Sequence, residues 1–271
     1  MKKALLWLVA ILVTLATLVY QRLTGPTYPK RGVAYFGQME IRYRLPRSHV
    51  STSDCPISLV IPDEAVLGYV EYRPYRSDAL WMRAMFIREG EKVTAYVPPL
   101  PAAGKLEYRI VLFNNDKNIE MAIPKYNLVV MRFRNPVPTA VLVLHVVTIF
   151  LSMLFSTRTG LEALRHRGRP RALALLTTFF LLLGGFVFGP VVQKYAFGAW
   201  WTGFPVGRDL TDTKTLAASL LWAVALVIGR KERPVRGWFL AASLLTLGVF
   251  LIPHSLLGSE LKDVPFPPPY Y

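Results

Sequence analysis

Arg208, Asp209, Asp212 and Lys214 place two bases and two acids within one short segment, beside Trp200 and Trp201 and among Gly203, Pro205 and Gly207. Charges this close together on a tightly bent stretch either pair with one another or present a surface for a polar ligand or a protein partner. Asp209 and Asp212, with the more distant His254, are also the groups an acid–base reaction at this surface would use. Simpler roles compete for the same residues. Paired tryptophans suit the belt where a chain leaves a bilayer. Thr211 or Asp212 suits the N-cap of a following helix, where a carboxylate meets the positive end of the dipole. His145 is the second chemical candidate, because it lies inside the apolar block 137–155 and a polar ring in hydrocarbon must find a partner. A membrane haem needs two histidines at matching depth, and His49, His166 and His254 all fall elsewhere in the sequence, so neither haem nor another cofactor is expected. Cys55 is the only cysteine, which excludes an intrachain disulfide and a cysteine-based metal site. The sequence contains no phosphate loop, dinucleotide fingerprint, zinc-protease pair, dithiol or nucleophile elbow, so no catalytic residues are assigned.

The elements that must position these residues are legible from hydropathy. Hydrophobic residues make up 53% of the 271, and they come in charge-poor blocks at 4–20, 137–155, 172–192, 213–228 and 237–252. Five such blocks predict five membrane-spanning helices, the last two near the short limit. The net charge of +15 raises the question of nucleic acid, but its placement excludes that reading. Lys2 and Lys3, the arginines 158–171, and Arg230, Lys231, Arg233 and Arg236 supply more than half of it in short segments beside apolar blocks. That is the positive-inside pattern, and it sets the N-terminus in the cytoplasm and the C-terminus outside. Block one lacks a small-x-small cleavage site and reads as a retained signal anchor, residues 1–24. Gly185 and Gly189 form a small-xxx-small pair that lets a neighbouring helix approach closely.

Residues 25–136 read as β. Short, partly alternating runs recur between turn signals, at 39–45, 57–61, 68–75, 80–87, 92–97, 106–113, 119–123 and 128–133, with hairpin turns at Glu89-Gly90-Glu91 and Asn114-Asn115-Asp116. Within this region the run Val97-Pro98-Pro99-Leu100-Pro101-Ala102-Ala103-Gly104-Lys105-Leu106-Glu107-Tyr108-Arg109-Ile110 resembles the E–F corner of fibronectin type III and related immunoglobulin-like domains. The resemblance implies an all-β sandwich inserted between spans one and two, with Tyr108 folding back on the corner and Trp81 as a core aromatic. It also implies a binding or spacing role more than a chemical one.

The expected organisation is an anchor helix, a periplasmic β-domain, a four-helix membrane domain at 137–253, and a proline-rich outer tail at 254–271, in a bacterial inner membrane. The expected function is that of an accessory or scaffolding protein. Its β-domain and the Trp200, Trp201, Arg208, Asp209, Asp212 and Lys214 surface bind an envelope partner, and its spans contact lipid. Two alternatives stand beside it: a transporter or sensor for a small apolar or lipid-like ligand, and a membrane enzyme acting at the outer surface. The spans at 137–155 and 172–192 contain no Asp, Glu, Lys or Arg, which argues against an ion pathway through them.

Overall fold

The computed structural model describes residues 3–165, 168–229 and 236–253. The expectations for His166, Arg167, the basic stretch 230–235, His254 and the proline-rich tail fall outside the described residues. The chain forms two compact units: the helical unit takes the chain up to Pro26 and resumes it at Val137, and the β unit is built on Thr27–Pro136.

In the helical unit, α1 is Lys3–Thr24, α2 is Thr139–Ala163, α3 is Arg171–Leu182, α4 is Gly189–Phe197, α5 is Leu210–Ile228 and α6 is Arg236–Leu251. A π-helical turn, Leu183–Phe188, joins α3 to α4, so Arg171–Phe197 is one apolar rod of 27 residues. Among the described residues four helices are long and apolar enough to cross a membrane: Lys3–Thr24, Thr139–Ala163, Arg171–Phe197 and Leu210–Ile228. Their outer faces carry exposed Leu8, Leu12, Leu15, Val143, Val147, Leu175 and Phe179, where a helix in water would carry charge. Many of the hydroxyl and indole groups that these helices contain are satisfied internally, as hydrocarbon favours. Thr14, Thr148, Thr177 and Thr215 each bond a carbonyl one turn back, and Trp222 on α5 donates to Thr246 on α6 at 2.8 Å. Gly160 leaves room for Ser243 of α6, whose hydroxyl donates to the Ser156 carbonyl at 2.8 Å.

Two parts of the expected architecture are corrected. Five spans are not found among the described residues: α6 has 16 residues, which at ~1.5 Å per residue gives about 24 Å, short of a hydrocarbon core of roughly 30 Å. Nor do the strands make an immunoglobulin-like sandwich of two sheets inserted between the first two of five spans. Eleven strands in the middle of the chain form three sheets, of two, six and three strands. Strands β1 (Lys30–Phe36) and β2 (Met39–Leu45) are an isolated hairpin. The largest sheet runs β3 (Ser48–Val50), β11 (Val129–Arg134), β9 (Lys105–Asn114), β5 (Leu67–Pro74) and β6 (Met82–Met85), with β10 (Ile119–Ile123) also on β9. Its β3–β11 pair is parallel. The third sheet orders β4 (Cys55–Val60), β8 (Lys92–Val97) and β7 (Ile87–Glu89). The run expected at 80–87 breaks at Phe86, and its two halves serve different sheets.

One core holds the β unit together: Ile41, Leu45, Ile57, Val70, Ile110, Leu112 and Phe133 are buried and packed in a single cluster. Tyr108 is fully buried in it, but its hydroxyl donates to the carbonyl of Pro46 at 2.8 Å, in the β2–β3 connection, and not to the corner that precedes it. Trp81 is not a core residue. It is half-buried on the outer face of the large sheet, with the guanidinium of Arg73 4.5 Å and that of Arg109 5.6 Å from its ring centre. Those arginines are held by carboxylates from alternate strand positions, Arg73 by Glu107 at 2.6 Å and Arg109 by Glu71 at 2.8 Å.

Cys55 packs in the same core, 1% exposed, and burial pushes its thiol up to about 12. A folded-state value above the ordinary one keeps the group as thiol across the range where alkylating agents need thiolate. Iodoacetamide at pH 8 is therefore expected to leave Cys55 unmodified in the native protein and to label it fully after unfolding in urea, read by intact mass. Native-state labelling at the unfolded rate would contradict the packing.

Candidate functional site

The site is built where one set of helix ends meets: the C-terminal turns of α1, α4 and α6 and the N-terminal turns of α2 and α5. Asp209 is the N-cap of α5, its carboxylate accepting from the Thr211 amide at 2.7 Å, and Asp212 sits in the first turn. The cap is thus Asp209, two or three residues before the expected Thr211 or Asp212. The preceding loop folds back on this helix start. Oδ2 of Asp212 accepts from the amides of Thr202 at 2.8 Å and Gly203 at 3.1 Å, and from the Thr202 hydroxyl at 3.3 Å. The Asp209 amide donates to the Thr202 carbonyl at 2.9 Å, and the Phe204 amide to the Thr213 hydroxyl at 3.0 Å. Gly203 lies so close that a Cβ there would overlap the Asp212 side chain and come within 2.8 Å of the Thr213 nitrogen. Glycine is required at that position by approach, not by conformation.

Beneath the loop is a cavity of about 120 Å³ lined by Gln21, His145, Gln193, Asp209, Asp212 and Lys214, with Ile149, Leu181 and Phe250 among its apolar walls. A cavity of roughly 150 Å³ accepts a benzene ring, so this one suits a small molecule or one end of a larger one. Lys214 is buried, and its ammonium donates to the Ile252 carbonyl at 2.8 Å, satisfying a carbonyl just past the C-terminal end of α6. Gln21 of α1 donates its amide to the Phe250 carbonyl, and Gln193 donates to the Thr202 hydroxyl.

His145 is positioned by the π-helical turn. Its Nδ1 lies 2.9 Å from the Gly184 carbonyl, and since a carbonyl only accepts, Nδ1 carries the proton. Gly189 makes space for the ring, because a Cβ there would stand 3.5 Å from Cε1 of His145. Gly185 faces α5, where a Cβ would strike the Thr215 methyl, and Gly184 faces α2, where it would meet Ile149 at 2.9 Å. Gly185 and Gly189 therefore serve packing and also border the cavity.

Of the six loop residues singled out in the sequence, the structure brings Asp209, Asp212 and Lys214 together at the cavity. Trp201 stacks on Phe186 with centroids 5.5 Å apart. Trp200 is 57% exposed with the Lys194 ammonium 5.8 Å from its ring, and Arg208 is exposed. Gln21 was not foreseen; a glutamine closing an apolar block was its one sequence signal. Among the described residues no cluster of three or more His, Cys, Asp or Glu side chains is arranged to hold a metal ion. No protein-family model matches the chain, and no characterised protein matches it significantly.

Proposed function

We propose that this is an integral membrane protein whose helical unit binds a small ligand, as a sensor or transporter does, in the cavity beneath the Trp200–Asp209 loop. The observation that carries the reading is the cavity itself: polar and charged side chains from four of the helices and the loop converge on a space with apolar walls. A purely structural bundle gains nothing from such a space, since its lining forfeits packing and its charges forfeit hydration. The site also matches the usual pattern of a small-molecule pocket, mostly apolar with a few convergent polar groups. The charge pattern supports a cytoplasmic N-terminus in a bacterial inner membrane. On that reading α1 is a retained signal anchor, and the β unit and the cavity end lie on the periplasmic side.

The test is native mass spectrometry of the full chain released from a mild non-ionic detergent, beside a Thr215→Phe variant that fills the cavity from α5. The wild type is expected to carry a bound mass, or to acquire one from a small-molecule mixture. The variant, at equal abundance, is expected to carry and acquire none. Identical adducts on both proteins, or none on either, would overturn the reading.

Docking of an envelope protein remains a second reading, favoured by the loop tip. Trp200, Phe204 and Val206 are 57%, 62% and 77% exposed beside Arg208, an apolar tip with a charge at its edge. Photo-crosslinking from position 206 in intact cells should give a discrete heteromeric band on this reading, and lipid adducts alone if the tip only anchors in the membrane interface.

A further inference from the structure

The two faces of the β1–β2 hairpin are opposite in character. Inward, Phe36, Ile41 and Leu45 join the core of the β unit, with Ala34, Met39 and Tyr43 packed against it. Strand alternation then turns Arg31, Val33 and Tyr35 of β1 and Glu40, Arg42 and Arg44 of β2 outward, and all six are exposed. The register sets them in three cross-strand pairs: Arg31 opposite Arg44, Val33 opposite Arg42, and Tyr35 opposite Glu40. Glu40, the one acid on this face of the hairpin, is engaged by Arg42 at 2.8 Å. The Arg31 guanidinium lies 5.2 Å from the ring centre of Tyr28, and among the described residues neither Arg31 nor Arg44 is paired with a carboxylate. Like charges directly opposite each other on a sheet repel. Two guanidiniums carried on Cβ atoms roughly 5 Å apart can instead share one phosphate, each donating through its planar fork.

We infer that this face of the hairpin docks on the headgroups of anionic phospholipids, with Arg31 and Arg44 sharing a lipid phosphate. Chain connectivity selects a bilayer over a soluble anion. Lys30 opens β1 six residues after Thr24 closes α1, a helix long and apolar enough to span, and six residues reach at most about 20 Å. Chain length alone therefore keeps the Arg31–Arg44 end of the hairpin close to a membrane surface. Composition points the same way. Val33 and Tyr35 are exposed beside the arginines, and an apolar residue and a tyrosine next to cations suit the boundary between headgroups and acyl chains. The inference does not depend on the cavity.

The experiment places the full chain, with Val33→Cys carrying a bimane fluorophore, in nanodiscs that contain a doxyl-labelled phosphatidylcholine as quencher. Cys55 is buried, so labelling is confined to position 33. Discs of phosphatidylcholine alone are compared with discs in which one third of the lipid is phosphatidylglycerol, at one ionic strength. Quenching is expected to be at least threefold stronger in the phosphatidylglycerol discs. It is expected to fall to the phosphatidylcholine level when Arg31→Gln and Arg44→Gln are combined. If that variant fails to accumulate, the comparison of the two lipids on the protein with both arginines decides alone. Equal quenching in both lipids, no quenching in either, or quenching that the combined variant retains would each overturn the assignment. Inorganic phosphate added at the same ionic strength is expected to leave the quenching unchanged. Its loss would assign the arginine pair to the free anion and overturn the docking on lipid.

Discussion

Asp212→Ala is expected to release the Trp200–Asp209 loop and to lower the stability of the helical unit by roughly 3–5 kcal/mol, with two backbone amides losing a charged acceptor worth about 1.5–3 kcal/mol each. The Asp212 carboxylate is the common anchor of Thr202 and Gly203. Alanine offers neither amide a substitute, and Gly203 is buried, so water cannot fully replace the lost acceptor. The fold of the loop amplifies the loss, because the Thr202 carbonyl also accepts from the Asp209 amide that opens α5. Asp212→Asn keeps one acceptor oxygen of the same shape and is expected to lose only about 1 kcal/mol, consistent with a neutral acceptor replacing a charged one. Thermal unfolding in detergent measures the order wild type, Asn, Ala. Limited proteolysis between 200 and 209 reports the loop directly, with cleavage accelerated in the alanine variant alone. An alanine variant as stable and protease-resistant as the wild type would show that the clamp is incidental. The same experiment shows why a loss of ligand response in Asp212 variants cannot by itself assign this residue to binding: its carboxylate also holds the loop, so stability has to be measured beside response.

The apolar blocks were legible because hydrocarbon imposes a rule that most of their residues obey locally: few charges, and most threonine hydroxyls bonded to a carbonyl one turn back in their own helix. Their limits were less so. The rod that ends at Phe197 outruns the expected block at Val192 because it continues through Gln193 and Lys194, which hydropathy alone would exclude. Asp209 takes the cap over Thr211 or Asp212 because the loop arrives from Thr202 and delivers the chain in an extended conformation at that residue, a fact of the path and not of the helix. In the β unit, alternation disclosed strands but not their partners. Tyr108 looked like a corner tyrosine from its neighbours, yet its hydroxyl bonds Pro46, a residue 62 positions away. Trp81 looked like core because large aromatics usually are; two cation–π partners from neighbouring strands keep it on the surface. The cavity was half legible. Asp209, Asp212, Lys214 and His145 drew notice as charges or a ring beside or within hydrocarbon. Gln21 and Gln193 became part of the site only because antiparallel helices bring their ends together.

Glu162→Ala should be the most damaging single change at the opposite helix ends. Glu162 holds Arg158 at 2.7 Å, one turn back on α2, and Arg165 at 2.8 Å. Arg158 is 4% exposed and lies 5.4 Å from the ring centre of Trp7, so it cannot turn to water when its partner is removed. An uncompensated buried guanidinium costs about 3–5 kcal/mol, and the cation–π contact with Trp7 offsets only ~1–2 of it. Arg165, which is less buried, contributes little to that sum. The test that separates this account from ordinary packing loss is the double variant. Arg158→Met with Glu162→Met removes both charges at similar volume, and it should recover most of the midpoint lost by Glu162→Ala. If the double variant is as unstable as the single one, the damage comes from lost shape. If it is nearly as stable as the wild type, the pair persists there as matched charges that each become a liability without the other.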